Sequence, residues 1–100
     1  SLKRALKASA SEPAEAQALI ENALGFALAA QSNYSGAIRH YRSALRSKAD
    51  YPVALNNLAY ALEKQQKPEE ARETYAKVLE LDAGNSTALK RLKRLDRLAA

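Results

Sequence analysis

Residues 24–45 read LGFALAAQSNYSGAIRHYRSAL, and residues 58–79 read LAYALEKQQKPEEARETYAKVL. Laid one over the other, they repeat Leu24, Ala27, Leu28, Gln31, Ala37, Tyr41 and Leu45 as Leu58, Ala61, Leu62, Gln65, Ala71, Tyr75 and Leu79, at a constant offset of 34 residues. A fixed period of this size marks a repeat protein, in which each pair of helices buries its apolar face only by stacking on a neighbouring pair. The echo speaks to architecture first and to partner only afterwards.

Outward from this core the helices can be placed by their start and stop signals. Residues 1–10 read as a short helix with Leu2 and Leu6 four apart. Ser11 with Pro13 two places on reads as a new start, because proline is tolerated in a first turn and a serine hydroxyl can cap it. The helix that follows is expected from about Pro13 to Gln31, with Ile20, Leu24 and Leu28 on one stripe. Asn33 is placed to cap a helix from about Tyr34 to Ser47, whose inner face carries Ile38, Tyr41 and Leu45. Pro52 opens the next, through about Gln65, with Leu55, Leu58 and Leu62. Pro68 followed by Glu69 and Glu70 opens another, since acids favour the positive end of a helix dipole. Tyr75, Val78 and Leu79 form its stripe, and Gly84 is placed to end it.

Asn85, Ser86 or Thr87 caps a final helix in which Leu89, Leu92, Leu95 and Leu98 recur every three residues. Helices joined by such short linkers pack antiparallel to their neighbours. No segment alternates as a strand does. The fold class is all-α, in one domain: a basic N-terminal segment 1–12, a first pair 13–51 with an extended first helix, a second pair 52–85, and a last helix 86–100.

With 47% hydrophobic and 27% charged residues, the chain is globular rather than disordered. Much of the hydrophobic share is alanine, so the core is thin and the flanking helices matter. The absence of cysteine excludes disulfides and thiolate metal sites. No apolar run approaches the roughly 18–20 residues of a membrane span, which predicts a soluble chain, and the lack of cysteine suits an intracellular, cytoplasmic location. It has no methionine and so reads as a trimmed product, leaving an upstream anchor or targeting segment open.

The net charge of +5 lies in blocks. Lys3, Arg4 and Lys7 stand together; so do Arg39, Arg42, Arg46 and Lys48; Lys90, Arg91, Lys93, Arg94 and Arg97 face only Asp96. Residues 49–85 are mainly acidic. Alternating sign favours specific docking over a uniform nucleic-acid coat.

The repeat slots resemble the tetratricopeptide repeat. Leu24, Gly25, Leu28, Ala37, Tyr41 and Ala44 fill them in residues 18–51, and Leu58, Ala59, Leu62, Ala71, Tyr75 and Val78 in residues 52–85. The resemblance implies a right-handed superhelical stack of antiparallel helix pairs: two full repeats, a C-terminal capping helix and a short N-terminal helix. Gly25 facing Ala37, and Ala59 facing Ala71, would let paired helices approach closely, while Tyr41 and Tyr75 would fill the space between pairs.

The departures carry expectations too. Glu21 and Leu55 stand in the family's tryptophan slot, and Ala49 and Ala83 in its closing proline slot. Glu21 predicts a first edge that faces solvent or the N-terminal helix. Lys93 stands where a small residue is required, which makes residues 86–99 a cap rather than a third repeat. The runs Asn22–Ala27 and Ala54–Leu58, with the basic ending, also resemble the photosystem I assembly repeat proteins of cyanobacteria and plastids. Those carry an upstream membrane anchor, which implies thylakoid association through residues outside this chain.

Enzymatic readings fail on inventory. His40 is the lone histidine and reads as a surface residue, and three scattered glycines make no phosphate loop. Glu69 and Glu73, beside Lys67, Arg72 and Lys77, read as a solvated helix face. No catalysis, cofactor or metal is expected.

The family resemblance implies binding on the concave face formed by the first helix of each pair. By register that face holds Leu19, Asn22 and Phe26, then Val53, Asn56, Asn57 and Tyr60, then Lys90, Arg91 and Arg94. It grades from apolar through amide and aromatic to basic, which suits an extended peptide of a protein partner with an acidic or carboxylate end. The blander reading makes the asparagines ordinary surface residues, Phe26 and Tyr60 partly core, and the basic helix a solubilising cap.

The carboxylate clamp by which some family members hold chaperone C termini is not expected. Asn22, Phe26, Asn57, Thr87 and Arg91 fill its five slots, and only Asn57 and Arg91 agree with them. The leading expectation is a protein-interaction scaffold for complex assembly. Two alternatives stand beside it: an electrostatic adaptor whose basic helix touches RNA or an anionic membrane, and self-association through apolar ends of the stack.

Overall fold

A computed structural model of the protein describes residues 2–99, with side chains described from residue 13 onward. Five helices follow one another: α1 (Leu2–Ala30), α2 (Tyr34–Ser47), α3 (Pro52–Lys64), α4 (Pro68–Leu81) and α5 (Ser86–Ala99). Each packs on the next, and α1 also touches α3 across the stack. The all-α stack of antiparallel pairs thus stands as the repeat period requires.

The boundaries follow from local chemistry. Asn33 Oδ1 accepts the Gly36 N–H at 3.0 Å and Asn85 Oδ1 accepts the Ala88 N–H at 3.0 Å, so both asparagines satisfy orphan donors of the helices they open. Pro52 and Pro68 open α3 and α4, where a missing N–H costs nothing. α1 and α3 end in the same way. Ser32 and Gln66 adopt φ of 61° and 60°, and the next N–H reaches back to Leu28 O at 2.8 Å and to Leu62 O at 2.9 Å. These are the reversals usually built on glycine, made here by a serine and a glutamine.

Three expectations are corrected. The break between residues 10 and 13 is absent: α1 runs through Pro13 from Leu2 to Ala30. Pro13 leaves the residue 9 carbonyl without its helical donor, and Pro13 itself is exposed. Gly84 does not cap α4. That helix ends at Leu81, Asp82 is extended, and Gly84 has neither a positive φ nor an atom within 4 Å of where a Cβ would stand. The stripe of Ile20, Leu24 and Leu28 is mostly outward: Ile20 and Leu24 are exposed, while Ala18 and Gly25 turn inward.

The core lies between successive helices and is built on Tyr41 and Tyr75, both fully buried, with Leu55, Leu58, Leu62 and Val78 around them. The small slots do what close approach demands. A Cβ on Gly25 would stand 2.6 Å from Tyr41 Cε1 and 3.0 Å from the Ala37 carbonyl oxygen. In the second repeat the same slot holds Ala59, also fully buried.

The other edges are tied by polar contacts. Arg72 on α4 donates to the Leu95 carbonyl at 3.3 Å and lies 3.3 Å from the Asp96 carboxylate, fixing α5. Ala88 and Leu95 of α5 are buried, whereas Lys93 is exposed. The edge of the first repeat is open, as Ile20 and Leu24 show, but Glu21 itself turns away from solvent to α2. Its carboxylate and His40 Nδ1 are 2.6 Å apart, both side chains are largely covered, and Gln17 adds a hydrogen bond of 2.8 Å. The His40 hydrogen bond is the main cause that holds the Glu21 carboxyl below its ordinary range.

Candidate functional site

The first helices of the stack, α1, α3 and α5, line one face in parallel register. Asn22 and Phe26, Asn56 and Tyr60, and Thr87 and Arg91 are each four residues apart, so each pair shares a helix face. Between them opens a cavity of about 380 Å³. Phe26, Ala29 and Ala30 form one wall, Tyr34 closes it from the first turn of α2, and Asn56, Asn57, Tyr60, Thr87 and Arg91 form the other side, over the rings of Tyr41 and Tyr75.

Phe26 is 63% exposed and Tyr60 40%, so both rings belong to the groove rather than to the core. Phe26, Asn56, Asn57, Tyr60 and Arg91 are the residues placed here by register that meet at the cavity. Asn22 joins them indirectly: Asn57 Nδ2 donates to Asn22 Oδ1 at 3.0 Å, bridging α3 and α1. Asn56 Nδ2 donates to Asn85 Oδ1 at 3.1 Å, bridging α3 and the start of α5. Leu19, Val53, Lys90 and Arg94 are exposed and outside the cavity wall.

Electrostatically the centre of the groove is one compact network. Arg91 donates from Nε to Glu63 Oε2 at 3.0 Å and from Nη2 to Glu63 Oε1 at 2.8 Å, the paired geometry that suits a guanidinium and a carboxylate. Tyr75 donates its hydroxyl to Glu63 Oε2 at 2.5 Å. Burial first, and the Glu63 carboxylate second, push the Tyr75 phenol above its ordinary value; the Glu63 hydrogen bond raises that of Arg91. The guanidinium also lies 5.1 Å from the Tyr60 ring centre, and Lys64 Nζ lies 5.4 Å from it.

Arg91 is therefore already paired, which changes the expected gradient. The aromatic part of the groove ends in a neutralised ion pair. Lys90 and Arg94, which form no ion pair among the described residues, stand beyond it as the free positive charge.

Register placement missed Tyr34 and Glu63. Tyr34 is the first residue of α2, a helix that the register assigns to the outer layer, and it enters the groove only because the turn at Ser32 brings it there. Glu63 did carry a signal: it lies one turn beyond Tyr60 on the groove stripe of α3. No group of three or more metal-ligating side chains comes together among the described residues. No helix among them is long and apolar enough to cross a membrane.

Known proteins share both the sequence pattern and the shape. An uncharacterized protein, ycf37, of Cyanophora paradoxa is 37% identical over 81 residues, 81% of this chain and 47% of that protein. The ycf37 protein of Pyropia yezoensis is 40% identical over 70 residues, 70% of this chain and 39% of that protein. The chain thus spans less than half the length of either relative.

Among solved structures, the first tetratricopeptide repeat domain of Spaghetti (RPAP3), bound to the HSP90 peptide SRMEEVD, superposes with a TM-score of 0.80 at 25% identity, over 83% of this chain and 67% of that one. Its second such domain, bound to the same peptide, reaches 0.85 at 25% identity, over 91% and 83%. A tetratricopeptide repeat model matches residues 28–95, more than half of the sequence, and the chain belongs to that family.

Proposed function

We propose that the concave face binds an extended segment of a protein partner, seating an apolar side chain among Phe26, Tyr34 and Tyr60 and directing an acidic stretch towards Lys90 and Arg94. The observation that carries this reading is the exposed aromatic cavity of Phe26, Tyr34 and Tyr60, flanked by Asn56 and Asn57. The peptide complexes of the two Spaghetti domains support the class of ligand. The commitment of Arg91 to Glu63 argues against a terminal carboxylate as the main anchor, in line with the two clamp slots out of five that this chain fills.

The role is that of a non-catalytic docking module in complex assembly. The narrower resemblance to photosystem I assembly proteins supports a photosynthetic setting, with attachment to the thylakoid made by residues outside the chain.

The test is a peptide array in which an aliphatic or aromatic anchor and a downstream acidic run are varied independently, with SRMEEVD as a reference. Binding that follows the anchor, and falls at least roughly tenfold in Tyr60→Ala while helicity is kept, supports the reading. Binding indifferent to Tyr60→Ala and Asn57→Ala counts against it. The basic helix favours an electrostatic contribution, so affinity is expected to fall with salt for the acidic run but not for the anchor.

A further inference from the structure

The 34-residue period lays the groove out in columns, because equivalent residues of α1, α3 and α5 stand side by side in the stack. Phe26, Tyr60 and Arg94 form one column, and Asn22, Asn56 and Lys90 form the next, one helical turn away. Read across the helices, the first column runs ring, ring, cation. All three of its members are exposed.

The helices that carry the column are direct neighbours. Asn57 of α3 reaches Asn22 of α1 at 3.0 Å, and Arg91 of α5 reaches Glu63 of α3 at 2.8 Å. Helices packed side by side stand about 8–10 Å apart, axis to axis. A ligand crossing them meets a new member of the column at about that interval.

Few backbones return a side chain to one face at this interval. In a β-strand the residues that share a face recur at about 6.8 Å and then at about 13.6 Å, which falls short of one step and then overshoots it. An α-helix matches only at every seventh residue, about 10.5 Å on, and needs about fifteen residues to cross three helices. A polyproline II backbone has three residues per turn and rises about 3.1 Å per residue, so every third side chain regains the same face at about 9.3 Å.

Resting on the peptide-binding reading above, we infer that the groove takes its ligand as a polyproline II segment read at every third residue: an apolar side chain over Phe26, a second over Tyr60, and a carboxylate at Arg94. Exposed aromatic rings are the surface on which such segments dock, because the backbone is extended beforehand and loses little freedom on binding. Lys90 lies one turn from Arg94, and neither forms an ion pair among the described residues, so the third position is a place for negative charge. The two residues between successive contacts point away from the column. Proline at those positions fixes the ligand in the bound conformation.

Heptapeptides titrated into the isotope-labelled chain and followed by NMR test the inference. LPALPAE carries the spacing with proline between the contacts, and EAPLAPL carries it in the opposite chain direction; the tighter of the two is the reference. LAALAAE keeps the spacing without proline, whereas LPLAPAE keeps the composition but sets its leucines two apart, and both are made in the direction of the reference. The reference is expected to shift the resonances of Phe26 and Tyr60. It should bind at least roughly threefold tighter than the alanine peptide and at least roughly tenfold tighter than the misspaced one. Arg94→Gln should weaken binding of the reference but not of its counterpart with glutamine in place of glutamate.

A proline peptide that binds no better than its alanine version overturns the inference, as does indifference to the leucine spacing. In either case a peptide that still shifts Phe26 and Tyr60 leaves the peptide-binding reading standing. If neither these peptides nor any member of the peptide array shifts them, the reading and the inference fall together.

Discussion

Arg91 grips Glu63 across the gap between α5 and α3, through two hydrogen bonds of 3.0 and 2.8 Å. The partners are 28 residues apart, and the Glu63 carboxylate also receives the Tyr75 hydroxyl from α4. One carboxylate thereby joins three helices at the base of the groove. Both side chains are largely covered, Glu63 more than Arg91, so solvent screens the pair less than it would at the surface.

Glu63→Gln should therefore act on stability and on binding in opposite directions. Losing charge-assisted bonds is expected to cost about 1–3 kcal/mol in urea unfolding. The released Arg91 becomes available to an acidic ligand, and peptides with an acidic run should bind roughly tenfold tighter relative to the parent. Calorimetric titration of the two proteins with the same peptide checks both the sign and the size.

Tyr75 separates packing from hydrogen bonding. Tyr75→Phe keeps the ring and loses the bond to Glu63, at a cost of about 1 kcal/mol. Tyr75→Ala empties a fully buried site and should cost about 3–5 kcal/mol. A chain of this length has a stability on the order of 5 kcal/mol, so the alanine variant is expected to be largely unfolded at 25 °C by circular dichroism.

Alkaline pH should destabilise the stack, through the same ring and its repeat equivalent. Burial raises the phenols of Tyr75 and Tyr41, so the unfolded chain ionises first. Stability from this source is intact below the ordinary tyrosine value of about 10 and is lost as pH climbs above it. In denaturant titrations at rising pH, Tyr75→Phe should show a smaller alkaline loss than the parent, and the remainder reports Tyr41.

The two left-handed turns offer stabilising changes. Gln66 holds φ of 60° and Ser32 of 61°, conformations that cost a residue with a Cβ about 1 kcal/mol and glycine little. Gln66→Gly should raise stability by about 0.5–1 kcal/mol, or the melting point by a few degrees. Ser32→Gly should have the same sign.

The starts of α2 to α5 were legible because each rests on contacts within a few residues: Asn33 and its capped N–H, Pro52, Pro68, the acids that follow Pro68, and Asn85 before α5. The close contact of Gly25 with α2 was legible because the repeat itself names the facing slot. Long-range pairings were not. Nothing local marks Glu63 for Arg91, or Glu21 for His40 nineteen residues on, since either acid could equally serve a solvated face.

Periodicity also groups residues on a face without saying what covers that face. Ile20 and Leu24 therefore read like core until their neighbours are seen. At Pro13 a genuine start signal is overridden by continuation of the helix. The groove lay in between: its amides and rings follow from register, but Tyr34 depends on how the chain turns at Ser32.

The amide bonds from Asn57 to Asn22 and from Asn56 to Asn85 have a mechanical consequence. Both lie on the concave side, one spanning the first and second repeats and the other the second repeat and the cap. They act as inner tethers that resist straightening of the stack but slacken when it bends further. A partner that must spread the helices would have to break them, whereas one that draws the ends together would not. The curvature of this short array should be stiff in one direction and yielding in the other, which selects ligands by the span they impose as well as by the side chains they offer.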